Sequence, residues 1–284
     1  MSCVSLTTDY GLVDGFVAAC HGVLLRLAPG VPIVDVTHLV PRGDVRRGSA
    51  VLASTVPHLP SGAAHVAVVD PGVGTARRAL AVRAPGGFLV GPDNGLLLPG
   101  AEVLGGVLAA VDLTVPAGTP ATFHGRDVFV PAAAALLAGR PLDTLGTPAD
   151  PESLVRLPAL LARVSTGPGG TRLESEVLLV DTFGNVALAA PAELLAEAGL
   201  RPGARARLTR PPPSRALGAD GADGAVGPLG SVELAVGVTF GSVRPGELVL
   251  HADSSGLAAV ARRDGDAARA LGLAPGDRVV VTPL

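Results

Sequence analysis

In the N-terminal half, short unbroken apolar runs alternate with stretches whose apolar residues recur at helical spacing. Val4 to Thr7 predicts a strand, and Phe16, Cys20, Val23, Leu24 and Leu27 predict the inner face of a helix capped by Asp14 and closed by Pro29 and Gly30. Ile33 to Val36 predicts a second strand. Asp44 then reads as the cap of a helix through Val45, Gly48, Val51 and Leu52, which Pro57 stops. Ala67, Val68 and Val69 are wholly apolar, as in a strand covered on both faces, and the chain then breaks into Pro71, Gly72 and Gly74. Asp70 is thereby placed at the carboxyl end of a strand. Ala79 to Val82 and Phe88 to Val90 predict further strands, the second entering a dense turn, Gly91-Pro92-Asp93-Asn94-Gly95. Asp127 reads as the cap of an Ala-rich helix from Val128 to Ala138 that Gly139 ends. Strand and helix alternating at this spacing predict βαβ units, hence an α/β fold with a mainly parallel sheet.

Around Ser165 to Gly170 the texture changes to short β-type runs separated by Gly and Pro. These are Val177 to Val180, Val186 to Ala189, Arg205 to Leu208, Val232 to Val238, Leu248 to Leu250, Leu257 to Val260 and Arg278 to Val281. A smaller, mostly β domain is expected there, with 1–164 and 171–284 as the two domains. Arg210 to Gly230, rich in Pro, Gly and Ala, is expected to be a flexible loop within it.

Composition narrows the classes. With 284 residues, 48% of them hydrophobic, the chain can fill two cores. A net charge of -3 offers no basic face to displace phosphate counterions, so neither nucleic acid nor an anionic membrane is expected as partner. All 22 basic residues are Arg, which excludes Schiff-base chemistry and a P-loop lysine. Cys3 and Cys20 form no CxxC pair, and Met1 to Thr8 lacks the basic start and apolar run of a signal peptide, so a cytoplasmic protein is expected. The longest uncharged stretch, Gly48 to Val69, is broken by Pro57, Pro60 and Gly62 and carries His58 and His65, which excludes it as a membrane span.

Open parallel sheets place ligand crevices beyond the carboxyl ends of their strands. Asp70 there, followed by a Gly turn and by Arg77 and Arg78, is a candidate functional group; a turn-capping Asp beside a solvated basic face is the plain alternative. In Thr122-Phe123-His124-Gly125-Arg126-Asp127 a His stands before a helix start with a Gly that leaves room for a small reactant. Such a His can serve as a base near neutrality, or merely bond a loop. A metal held by Asp70 and His124 with Asp9, Asp14, His38 or Asp44 would need a ligand spacing; no HxxxH, HxH or CxxC occurs, and no metal is expected. No GxSxG elbow is present, and Gly72-Val73-Gly74 lacks the rest of a dinucleotide fingerprint.

Six stretches in order, Thr7-Thr8-Asp9-Tyr10-Gly11 with Asp14, Val69 to Arg78, Pro92-Asp93-Asn94-Gly95-Leu96, Phe123 to Asp127, Asp181-Thr182-Phe183-Gly184-Asn185 and Ser254-Ser255-Gly256, resemble the S-adenosylmethionine hydroxide adenosyltransferases. These are relatives of the fluorinating and chlorinating enzymes. The resemblance implies an N-terminal α/β domain followed by a C-terminal β-barrel, a homotrimer, and S-adenosylmethionine held between domains of neighbouring subunits. It implies substitution by water at the ribose 5′ carbon, giving adenosine and L-methionine, without metal or cofactor. Asp70, Arg77 and His124 match the family's water-handling groups, with His124 as base or hydrogen-bond acceptor, Arg77 stabilising hydroxide character and Asp70 fixing the water. Asp9 matches the acid on the ribose hydroxyls, Asp14 and Asp181 match family positions near the methionine amino group, Phe183 and Asn185 those at the adenine, and Ser254 and Ser255 those facing the methionine carboxylate; Val73 and Gly125 also match substrate positions.

Two departures bear on substrate affinity: Gly43 stands where relatives carry an aromatic residue, and Leu257 where the barrel motif has a Tyr. A halogenase is the alternative within the family, but its members carry Tyr where this chain has Asp70, and a carboxylate repels a halide. A non-catalytic adenosine or S-adenosylmethionine sensor is the alternative outside it; a water-activating trio argues against that reading.

Overall fold

The computed structural model describes residues 2–211 and 230–284. Most of the expected loop from Arg210 to Gly230, namely 212–229, lies outside the described residues. The chain divides into two compact units, Met1–Pro158 and Ala159–Leu284.

In the first unit the elements run β1 (Val4–Thr8), α1 (Phe16–Leu27), β2 (Ile33–Thr37), α2 (Val45–Thr55), β3 (Ala63–Val68), β4 (Ala79–Ala84), β5 (Gly87–Pro92), α3 (Leu98–Val103), β6 (Ala109–Leu113), α4 (Val130–Leu137) and β7 (Gly146–Ala149). They build one sheet in the order β2-β1-β3-β5-β4-β6-β7. Its first four strands are parallel neighbours, and β4, β6 and β7 extend it by antiparallel pairs. Five of the seven strands therefore share one direction, the mainly parallel sheet that the alternating pattern predicts. The order reverses at β1, with β2 on one side and β3 on the other. Such a switch point opens a crevice at the carboxyl ends of β1 and β3.

The core lies on both faces. Ala64, Val66 and Val68 pack with Cys20, Val23, Leu24, Phe129 and Val130. The alternate residues Ala67 and Val69 pack with Leu52, Val56, Leu97 and Leu98. β3 is buried along its whole length, which is why its sequence is apolar without alternation.

Three local expectations are corrected. The N-cap of α1 is Gly15, with no side-chain cap, so Asp14 does not cap it. Phe16 and Leu27 are 45% and 52% exposed and flank the buried stripe rather than belong to it. Asp127 caps no helix either. A π-helical turn, Gly125–Phe129, precedes α4, and Asp127 binds its neighbour Arg126 through Nε and Nη2, both at 2.7 Å. Asp44 does cap α2, accepting the Arg47 N–H at 2.9 Å.

The second unit comprises β8 (Ala162–Gly167), β9 (Gly170–Val180), β10 (Val186–Pro191), α5 (Glu193–Glu197), β11 (Arg205–Thr209), β12 (Val232–Val236), β13 (Leu248–Ala252), β14 (Leu257–Arg262), α6 (Ala267–Leu271) and β15 (Arg278–Pro283). The sheet runs β10-β14-β13-β12-β11-β15-β9, and β9 pairs back onto β10, closing a seven-stranded barrel to which β8 adds an outer edge. Closure removes exposed edges and leaves one interior, filled by Leu173, Leu188, Leu208, Leu250, Val260 and Val279 among others. Residues 165–170, where the sequence changes texture, form the tip of the β8–β9 hairpin.

Candidate active site

Two acids stand at the switch point. Thr8 and Val68 are register partners on β1 and β3; Asp9 follows the first and Asp70 lies two residues beyond the second. Asn94 braces this strand end, its Nδ2 donating to the Val69 carbonyl at 2.8 Å. After Asp70 the chain folds back through a tight turn, Val73 N–H to Asp70 carbonyl at 3.2 Å, which returns Arg77 to Asp70. Gly74 is required there twice over: its φ is +78°, and a Cβ would lie 3.1 Å from the Ala121 carbonyl oxygen. That approach seats the turn against the loop that carries His124.

Arg77 joins the three predicted groups. Its Nε lies 3.1 Å from both Asp70 carboxylate oxygens and its Nη2 donates to Asp70 Oδ2 at 2.5 Å. Nη2 also donates to His124 Nδ1 at 3.1 Å. The Asp70 and Arg77 side chains are 6% and 10% exposed. A lone buried charge would be costly, but the pair is neutral overall and bidentate. Because Nδ1 accepts from a guanidinium that has only protons to offer, neutral His124 carries its proton on Nε2. Burial, and then the Arg77 charge, hold His124 below the ordinary imidazole pKa, so it is neutral at pH 7.

Phe129 was not singled out by the sequence. It is fully buried, with the Arg77 guanidinium carbon 5.3 Å above its ring and the His124 ring edge-on at 6.4 Å. The π-helical turn puts both ends of this arrangement on one segment, His124 as N-cap and Phe129 as last residue. Arg78, the other arginine of the motif, faces elsewhere, reaching Asp93 at 2.8 Å and the Ser153 hydroxyl and carbonyl at 2.9 and 2.6 Å.

Gly125 does not leave a void. A Cβ there would lie 1.9 Å from the Tyr10 hydroxyl, so the missing side chain makes room for Tyr10. Tyr10 in turn meets Phe123 edge-on at 5.6 Å and Phe16 at 6.0 Å. Asp9 Oδ2 accepts the Gly43 N–H at 2.9 Å, while Asp14 is exposed and Val73 half-buried.

In the barrel the predicted residues fall into two hairpin turns. Asp181 Oδ1 accepts the N–H groups of Phe183 and Asn185 at 2.8 and 2.9 Å, and its Oδ2 accepts Asn185 Nδ2 at 2.7 Å. Phe183 is 77% exposed. Ser254 and Ser255 are exposed in the β13–β14 turn, where Asp253 Oδ1 accepts the Ser255 and Leu257 N–H groups at 2.8 and 2.9 Å. β10 and β14 pair antiparallel, Val186 with Val260 and Pro191 with Leu257, so the two turns stand at opposite ends of one ladder.

An α/β unit with a buried Asp–Arg–His arrangement at its switch point, joined to a closed barrel, defines the class. The chain belongs to the SAM hydroxide adenosyltransferase family, whose N-terminal domain model matches residues 4–146 and whose C-terminal domain model matches 175–280. It is 54% identical to the (R)-S-adenosyl-L-methionine hydrolase of Salinispora tropica over 98% of this chain and 97% of that one. The corresponding hydrolase of Thermus thermophilus is 39% identical over 96% of both chains, whereas the fluorinase of Actinoplanes sp. is 29% identical over 64% of this chain and 70% of its own. Among solved structures, an uncharacterized conserved protein from Thermotoga maritima superposes with a TM-score of 0.85 at 31% identity, covering 98% of this chain and 99% of that one.

Proposed function

We propose that this chain hydrolyses S-adenosylmethionine to adenosine and L-methionine by attack of water on the ribose 5′ carbon. The observation that carries the reading is the single Arg77 guanidinium shared by Asp70 and His124. The C5′–O bond forms as the C5′–S bond breaks, and the electron pair goes to sulfur, which leaves as a neutral thioether. No acid is needed for the leaving group. The demand falls on water, a weak nucleophile until a neighbour takes its proton.

The hydrogen bonds refine the roles. His124 Nδ1 is engaged by Arg77, which supports Asp70 rather than His124 as the acceptor for the water proton; Asp70 Oδ1 accepts only the Arg77 Nε among the contacts described and retains a lone pair. Arg77 stabilises the developing hydroxide, and His124 with Phe129 fixes the guanidinium. A water held in line with sulfur lowers the barrier by on the order of 7 to 11 kcal/mol, and a positioned base adds about 10²- to 10⁴-fold. Asp9 is proposed to take the ribose hydroxyls, with Asp14, Val73, Gly125 and the barrel residues Asp181, Phe183, Asn185, Ser254 and Ser255 in the binding roles given by the resemblance.

The related hydrolases are named for the (R) epimer, and the same sulfur configuration is proposed for this substrate. A homotrimer is proposed, to be checked by light scattering. A cytoplasmic setting agrees with two free, buried cysteines. No helix among the described residues is long and apolar enough to cross a membrane.

The test is turnover of each sulfur epimer in ¹⁸O water with excess chloride and fluoride. Label in the adenosine 5′ hydroxyl with methionine release is expected. A 5′-halogenated adenosine as main product, or tight binding without methionine release over hours, would overturn the reading.

A further inference from the structure

Beside the end of β1, α1, β2 and the residue after β2 converge on one carboxylate oxygen. His21 Nε2 lies 2.9 Å from Asp35 Oδ1 and His38 Nε2 lies 3.1 Å from the same atom. The three donor atoms all fall within 4.8 Å of one another. We propose that His21, Asp35 and His38 form a site for a divalent transition metal of the zinc class.

His38 carries the argument furthest. The residue is 5% exposed, and its Nε2, though near Asp35, has no partner in hydrogen-bond geometry. A buried polar nitrogen whose near neighbour, Asp35 Oδ1 at 3.1 Å, is out of hydrogen-bond geometry is poorly satisfied, and a metal shared with that carboxylate would accept its lone pair. The other ring nitrogen, Nδ1, is 2.8 Å from Thr8 Oγ1. With Nδ1–H donated to that oxygen, Nε2 presents a lone pair toward Asp35 and the ring is held in place, the outer hydrogen bond that metal-bound imidazoles use. Thr8 Oγ1 also accepts the Tyr10 N–H at 3.2 Å, and the His38 carbonyl accepts the Gly11 N–H at 2.8 Å, so the ligand is tied to the ends of both strands.

The dimensions fit. Ligand bonds of about 2.0 to 2.2 Å in tetrahedral geometry separate donors by roughly 3.4 Å. The present 2.9 and 3.1 Å need to widen by only a few tenths of an ångström, and the His21 and Asp35 side chains, 31% and 41% exposed, have room to move. Two imidazoles and one carboxylate favour zinc, nickel or copper(II) over magnesium or calcium, which take oxygen donors. The absence of HxxxH, HxH and CxxC from the chain predicts no metal, and the spacings of this cluster, 14 residues and then 3, lie outside those motifs. The strand pairing of β1 with β2 and the packing of α1 make the cluster. The inference is independent of the hydrolase reading, and its test measures no turnover.

Tag-free full-length protein, stripped with a chelator, is titrated with zinc chloride by calorimetry at pH 7.5 and with cobalt chloride by visible absorption. One equivalent of zinc should bind, raise the melting temperature and resist a large excess of magnesium; cobalt should give intense d–d bands. His21→Ala, at a half-buried position of α1, and Asp35→Asn, each checked for folding by circular dichroism, should each weaken zinc binding at least tenfold and abolish the cobalt bands. Absence of zinc heat and of cobalt bands in the wild-type protein, or undiminished binding in both variants, would overturn the proposal.

Discussion

The two units present their polar residues in opposite ways. In the α/β unit the Asp70, Arg77 and His124 side chains are buried, and each engages another of the three, over the fully buried Phe129 ring. In the barrel, Phe183, Ser254 and Ser255 are exposed in hairpin turns, and the Asp181 carboxylate is occupied by its own loop. The strand end in the doubly covered sheet holds paired charge out of water before substrate arrives; the hairpin tips leave Phe183 and both serines open to solvent. Preorganised charge acts on a transition state, whereas surface turns contribute binding that is similar in ground and transition states. Substitutions in the first unit should therefore lower kcat, and those in the second should raise KM.

The largest effect is expected at Asp70. Asp70→Asn keeps the shape but leaves the Arg77 charge uncompensated and, under the proposed mechanism, sets that charge beside a cationic substrate without a proton acceptor. Loss of a contact of roughly 3 to 4 kcal/mol should cut turnover about 10²- to 10³-fold, whereas a mere turn cap would cost about 1 kcal/mol of stability and leave the rate intact. Adenosine release and melting temperature measured on one sample separate the two. Near-normal turnover in a folded Asp70→Asn protein would remove Asp70 from the mechanism and dissolve the contrast between the units.

What could be read from the chain follows the range of the interactions. β3, Asp70 at its end and the Asp44 cap are local features, and apolar runs and cap residues mark them. The barrel strands were each visible as short β-type runs, but their closure through β9 and β10 is a pairing between distant segments and came only from the resemblance. Asp127 shows the limit of local rules. It stands where a cap would stand, yet a π-helical turn intervenes and Arg126 takes its carboxylate. The choice of Arg77 over Arg78 came only from the resemblance, because no local rule separates neighbours that diverge to Asp70 and to Asp93. Phe129 and the His21, Asp35 and His38 cluster were missed for the same reason: tertiary packing assembles them, and no spacing announces it.

Acid should separate the units by pH window. His65 on β3 is buried against Ser5 at 2.8 Å, and burial lowers its pKa to about 4. Below the ordinary imidazole value near 6.5 the unfolded chain takes a proton that the folded chain refuses. Stability from this residue is therefore lost as pH falls from about 6.5 to about 4, by roughly 3 kcal/mol at 1.36 kcal/mol per pH unit. In the barrel, hydrogen bonds from Arg163 and Ser165 lower Glu174 to about 2, so its contribution is present above the ordinary carboxylate value and fades only below about 4.5. Hydrogen exchange at pH 5 should show β1 and β3 losing protection before β9 and β15. Equal loss in both units, or an unchanged pH profile in His65→Gln, would contradict the assignment.

A smaller effect is expected where Tyr10 approaches Gly125. Gly125→Ala forces the hydroxyl aside and, like other overpacked positions, should cost about 1 to 3 kcal/mol. Removing that hydroxyl in Tyr10→Phe should recover part of the loss, because the two positions share one contact and their effects are not additive. Urea unfolding of the four proteins of this cycle reads the coupling. Additive losses would mean that Gly125 is held for some other reason than Tyr10.

The smallest effect should come from the barrel serines. The Asp253 carboxylate takes the Ser255 and Leu257 backbone N–H groups, so the β13–β14 turn keeps its shape without either hydroxyl. Ser254→Ala and Ser255→Ala should accordingly leave the melting temperature unchanged. If these hydroxyls meet the methionine carboxylate, each charge-assisted hydrogen bond lost costs about 1 to 2 kcal/mol, a rise in KM of roughly 5- to 30-fold with kcat held, since the contact is far from the carbon under attack. A fall in kcat at constant KM would place the turn in the reacting geometry after all. Full retention of both constants in the double variant would leave the serines as turn residues and move the carboxylate contact elsewhere on the barrel.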